Sequence, residues 1–109
     1  MNLGISSQQS FQAYTNINAP MLNSNEIFQL KKMGSKIGKS GDFIDITVRN
    51  LGQVIPNWKN PNAANRETYG ITADAFINGK TDKYQAMIPI ESKKPKDLIM
   101  DLFMKYSKM

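Results

Sequence analysis

The chain has no cysteine and no histidine. These two absences remove thiol nucleophiles, disulfide staples, the usual zinc ligand sets and any imidazole general base, leaving carboxylates and lysines as the only candidates for catalysis. Charge is missing from the first 25 residues, where Ser, Asn and Gln surround isolated apolar groups that bury little surface by themselves. Long apolar runs are missing as well. None approaches the roughly 18 to 20 residues that span a bilayer, and the N-terminus has neither the charged start nor the apolar core of a signal segment. The expectation is a cytoplasmic protein with no membrane partner, in which residues 1–25 form an uncharged arm, its first 20 residues removable without unfolding, ahead of a single domain over residues 26–109.

What is present is a modest basic excess. Fourteen Lys and Arg against nine Asp and Glu give a net charge of +5 in 109 residues, one domain's worth of chain. The excess falls in two blocks, from Glu26 to Arg66 and from Lys93 onward, separated by a net acidic stretch. A basic, His-free small domain of this kind commonly binds polyanions.

One stretch nearly spells a phosphate-binding loop. In MGSKIGKSG, residues 33–41, Gly34 and Gly38 enclose only three residues before Lys39 and Ser40, whereas the motif G-x-x-x-x-G-K-[ST] requires four. The missing residue changes the ring of backbone N–H donors, and DFIDITVRN after it alternates like a strand where the motif needs a helix. The stretch therefore reads as a flexible basic turn that meets phosphates by charge.

The elements follow from periodicity. Asn25 or Ser24 would cap a helix through Lys36, but the two glycines end the segment soon after, which favours a strand over EIFQLKKM. SFQAYT in the arm suggests a short edge strand. Ile44, Ile46 and Val48 alternate with Phe43, Asp45, Thr47 and Arg49, and LGQVIPNWKNPNAANRE then reads as a long connection. Asn78-Gly79 is the preferred pair for a two-residue type I′ hairpin loop. With that loop, every opposed pair sums to 157 in residue number: Tyr69 meets Ile88, Ile71 meets Ala86 and Ala73 meets Tyr84 on one face, while Asp74 meets Lys83, Thr72 meets Gln85 and Phe76 meets Thr81 on the other. Pro89 marks the end of a ladder or an edge. KKPKDLIMDLFMKYSKM reads as a helix with Pro95 in its first turn, a buried stripe of Leu98, Ile99, Leu102, Phe103 and Tyr106, and an Asp101–Lys105 pair outside.

The expected fold is α+β, an antiparallel sheet of about four to five strands with the C-terminal amphipathic helix on one face, or alternatively an OB-like barrel with that helix added. The uncovered face then offers Phe43, Arg49, Phe76 and Lys83, with Thr47, Thr72, Gln85 and Met87. Lys31, Lys32, Lys36 and Lys39 form a basic edge, and Trp58, Lys59 and Arg66 form a finger over the groove. Rings beside cations suit single-stranded nucleic acid, because bases stack while phosphates pair with charge. The residues expected to bind nucleic acid are Lys31, Lys32, Lys36, Lys39, Phe43, Arg49, Trp58, Lys59, Arg66, Phe76 and Lys83. Single-stranded DNA leads over RNA as the partner. The alternative is a protein-binding module, an inhibitor or assembly factor, acting through the same face. Asp42, Asp45, Asp74 and Glu91 are the only carboxylates placed for catalysis, and they lack metal-motif spacing, so no enzyme activity, cofactor or metal is expected. In plan, residues 26–106 resemble the Whirly-type single-strand binders, a likeness that implies a homodimer or higher homo-oligomer and carries no site residue over.

Overall fold

The computed structural model describes residues 13–54 and 66–109. Four strands and two helices follow in the order β1 (Tyr14–Asn18), α1 (Ser24–Ser35), β2 (Phe43–Val54), β3 (Arg66–Ile77), β4 (Lys80–Pro89) and α2 (Pro95–Tyr106). The sheet order is β1-β2-β3-β4, with β1 parallel to β2 and the remaining pairs antiparallel. The sheet is open, with β1 and β4 as its edges. The α+β expectation is met, and the closed barrel is not formed.

The hairpin has the register that its turn chemistry dictates. Asn78 and Gly79 both take positive φ, 54° and 79°, as a type I′ loop requires. Tyr69↔Ile88, Ala73↔Tyr84, Asp74↔Lys83 and Phe76↔Thr81 all pair, and Pro89 closes the ladder opposite Thr68. On the helix-covered face Ile44, Ile46, Val48, Ile71, Ala73, Ala75 and Ile77 are buried, joined by Leu98, Ile99, Leu102, Phe103 and Tyr106 of α2. Pro95 occupies the first turn of α2, and Tyr69 donates from its hydroxyl to the Lys93 carbonyl at 2.8 Å, tying the entry of the helix to the sheet.

Several local expectations are corrected. Residues 24–35 form a helix, not a strand, and its cap is Asn23 rather than Ser24 or Asn25. The Asn23 side chain accepts from the Glu26 backbone N–H at 2.8 Å, and the Glu26 carboxylate accepts from the Asn23 N–H at 3.0 Å, a complete capping box. A helix is also what the topology needs, since two parallel strands can be joined only by a crossover. Of the strand expected within SFQAYT, the described residues show Tyr14 and Thr15 in β1, which continues to Asn18. There Ile17 is buried beside Ala13 and Ala19, so residues 13–25 are built into the domain. β2 runs on through LGQV past a bulge between Asn50 and Gly52, where the Asn50 side chain accepts from the Gly52 N–H at 2.8 Å and Gly52 takes φ 73°. The Asp101–Lys105 pair is replaced by two others: Lys93 pairs with Asp101, and Lys105 reaches Asp82 on β4 at 2.9 Å.

Candidate nucleic-acid interface

Both helices pack on the same side of the sheet, so the opposite side is uncovered. Its residues form rows across the strands. The first row is Tyr14, Phe43, Phe76 and Thr81; the second is Asn16, Asp45, Asp74 and Lys83; the third is Asn18, Thr47, Thr72 and Gln85. In the first row the Phe43 and Phe76 ring centroids lie 6.3 Å apart with planes 19° from parallel, a stacked pair. Phe43 is 40% exposed and Tyr14, beside it on the edge strand, is 70% exposed. Three rings on three adjacent strands thus share one end of the uncovered face, Tyr14 and Phe43 exposed and Phe76 half-buried.

That end is set by Asp42. Its carboxylate is buried and accepts from the Lys39 backbone N–H at 3.1 Å and from the Asn78 N–H at 3.4 Å, joining the turn before β2 to the hairpin loop. The glycines that gave the turn its motif-like look are explained by packing. A Cβ on Gly38 would sit 2.7 Å from an Asp42 carboxylate oxygen, and one on Gly34 would sit 2.7 Å from the Thr15 side chain. The Lys39 N–H that a phosphate loop would aim at an anion is already held by Asp42, so the turn is a fixed structural joint and not a nucleotide cradle. Lys36 and Lys39 project from this joint with exposed side chains.

The second row has the opposite character. Asp45 faces Asp74 directly across the β2–β3 ladder, an arrangement that is repulsive between like charges. Asn16 donates to Asp45 at 2.9 Å, and Lys83 lies opposite Asp74. Beyond it a depression of about 380 Å³ is bordered by Thr72, Asp74, Lys83, Tyr84 and Gln85. At the far end Leu51, displaced by the bulge, lies over Gly70, and Met87 is exposed beside it.

The expected site residues therefore divide. Phe43, Phe76, Arg49 and Lys83 share the open face, with Lys36 and Lys39 at the aromatic end. Lys31 and Lys32 are carried away from it by α1, because a helix on the covered face replaces the edge strand they were assigned to. Arg66 opens β3. Trp58 and Lys59 lie outside the described residues. Tyr14 and the Asp45–Asp74 pair were missed. The aspartates were legible from the period-2 alternation, whereas Tyr14 depends on a parallel register that no local turn announces.

Among the described residues no group of three or more Asp, Glu, His or Cys is placed to hold a metal ion, and no helix is long and apolar enough to cross a membrane. No family model matches the chain, and neither the curated proteins nor the solved structures contain a match.

Proposed function

We propose that this chain is a non-catalytic, cytoplasmic single-stranded nucleic-acid binding protein, with single-stranded DNA as its leading partner, acting as a homodimer or higher homo-oligomer. The observation that carries the reading is the row of rings on the uncovered face, Tyr14 and Phe43 exposed and Phe76 half-buried, beside the Lys36–Lys39 joint. Rings of this kind stack bases regardless of sequence, and lysines at the end of the row pair with phosphates. The acidic second row restricts the path. A polyanion repelled by Asp45 and Asp74 runs along the aromatic row, across the strands, with its phosphates toward the lysine joint and its bases toward the sheet.

Fluorescence anisotropy with labelled single strands and duplex at two salt concentrations tests this. Replacing Lys36 and Lys39 together by Ala should weaken all single strands alike and flatten the salt dependence, whose log–log slope is near −0.7 per phosphate neutralised. Phe43→Ala or Phe76→Ala should lower affinity by on the order of 1–3 kcal/mol per stacked base with the slope nearly unchanged. Indifference to all of these changes would favour the second reading, a protein-binding module. That reading draws on the Asp45–Asp74 pair and the exposed Leu51 and Met87, which suit a partner bearing a basic side chain among apolar ones.

A further inference from the structure

The helical side carries a separate surface that the open sheet face does not use. A groove of about 240 Å³ is lined by Met33 of α1 and Ile37 just past it, and by Met100, Phe103 and Met104 of α2 with Ser107 at its end. Phe103 is buried and forms the floor, while Met104 is 62% exposed and Met33 41%. Flexible, polarizable thioethers lining a groove adapt to varied apolar side chains. The volume lies below the range of small-molecule sites and suits one or two side chains of a peptide.

The rim is basic. Lys93 is engaged by Asp101 and Lys105 by Asp82. Lys32 beside Met33, Lys96 one turn before Met100, and Lys108 just past the end of α2 are all exposed, and none has an ion pair among the described residues. On α2 Lys96, Met100 and Met104 follow at i, i+4 spacing, so a cation stands one turn before the apolar pair, and Lys108 lies just past the end of the helix. Of the carboxylates on the two helices, Glu26 closes the capping box and Asp101 is paired with Lys93, while Asp97 stands exposed in the first turn of α2 beside Lys96.

We propose that this groove docks an acidic amphipathic helical segment of a partner protein. Its apolar side chains enter between Met33 and Met104, and its carboxylates meet Lys32, Lys96 and Lys108. A second copy of this chain is disfavoured because basic rim would meet basic rim. A flat lipid surface is disfavoured because the groove is concave and its largest apolar group, Phe103, lies at the bottom.

The test uses the full chain with ¹³C-methyl-labelled methionine. It is titrated with a synthetic helical peptide of roughly fourteen residues, carrying Leu at i, i+3, i+7 and i+10 and Glu elsewhere, and with the same peptide carrying Lys for Glu. The acidic peptide should shift the Met33, Met100 and Met104 methyl signals and saturate, and the basic one should not. Met104→Glu, or Lys32→Glu with Lys108→Glu, should weaken the acidic peptide by about tenfold or more. These positions are exposed, and a thermal melt verifies that the variants fold. Single-strand binding by Met104→Glu should be unchanged, which separates failure here from failure of the open-face reading. The proposal is overturned if the basic peptide binds equally or if the acidic peptide moves none of these methyls. It is equally overturned if phosphatidylserine-containing vesicles or a single-stranded oligonucleotide move them when the acidic peptide does not.

Discussion

Gly34 shows how much a single missing Cβ can decide. It lies in the last turn of α1, where a methyl group would meet the Thr15 side chain at 2.7 Å and the Phe103 ring at 3.1 Å. Glycine costs a helix interior about 1 kcal/mol relative to alanine. Here that penalty is outweighed, because Thr15 is β-branched and stiff and Phe103 is packed in the core. Gly34→Ala should therefore destabilise the chain, by about 1–2 kcal/mol net, in a denaturant titration. A gain in stability would show that α1 shifts freely on the sheet. Tyr106 presents a different case. Its ring is fully buried and its hydroxyl has no hydrogen-bond partner among the described residues. Burial, followed by the charges of Asp82 and Asp74, pushes its pKa up to about 12. A raised tyrosine pKa means that the folded state holds its proton longer than the unfolded chain does. Stability from this group is thus intact below pH 10 and is lost as pH rises through 12. Tyr106→Phe should remove that part of the alkaline loss. At neutral pH it should be neutral or stabilising by up to about 1 kcal/mol, since it deletes a buried unpaired hydroxyl. Thermal melts of both proteins at pH 7, 10 and 11 check both statements.

At the scale of elements, legibility tracked how local the determining signal was. The β3–β4 hairpin was readable to the residue because Asn78-Gly79 fixes the loop and period-2 alternation fixes the face, and the two signals agree. α2 was readable because six of its twelve residues are buried in a continuous stripe. α1 was not, since only Leu30 and Gly34 of its twelve residues are buried, too thin a stripe to outweigh two glycines. What decides α1 is its capping box and the demand of a parallel β1–β2 pair for a crossover, and the second is invisible until β1 is placed. The same gap hid Tyr14, while Phe43 and Phe76 were legible from alternation within their own strands, and the antiparallel register then sets them in one row. Asn23→Ala should consequently cost about 1 kcal/mol by removing one half of the box. Circular dichroism melts would register it. An unchanged midpoint would mean that packing of Leu30 alone holds the helix.

For the whole molecule, the uncharged beginning of the chain and the basic helices have separate tasks. Residues 13–19 add the edge strand and bury Ala13, Ile17 and Ala19, so the domain reaches back into sequence that composition alone assigns to an arm. β1 also covers the edge of β2, a twelve-residue strand with Ile44, Ile46 and Val48 on its buried face. Without β1, a row of unpaired backbone groups on a long apolar strand would be open to pairing with another chain. Deleting residues 1–19 should therefore lower the melting midpoint by roughly 10 °C or more, since losing the Ile17 contacts and a whole ladder costs several kcal/mol and each is worth about 4–8 °C in a domain of this size. Light scattering should also show association growing with protein concentration in the truncated chain and absent from the full one. The double outcome matters, because a lower midpoint without association would mean that the charges on β2 suffice to protect its edge. An unchanged midpoint would mean that β1 lies on the sheet without contributing to its core. A truncated chain that stays folded should still lose affinity for single strands if Tyr14 is one of the stacking rings, with the salt dependence retained because Lys36 and Lys39 remain.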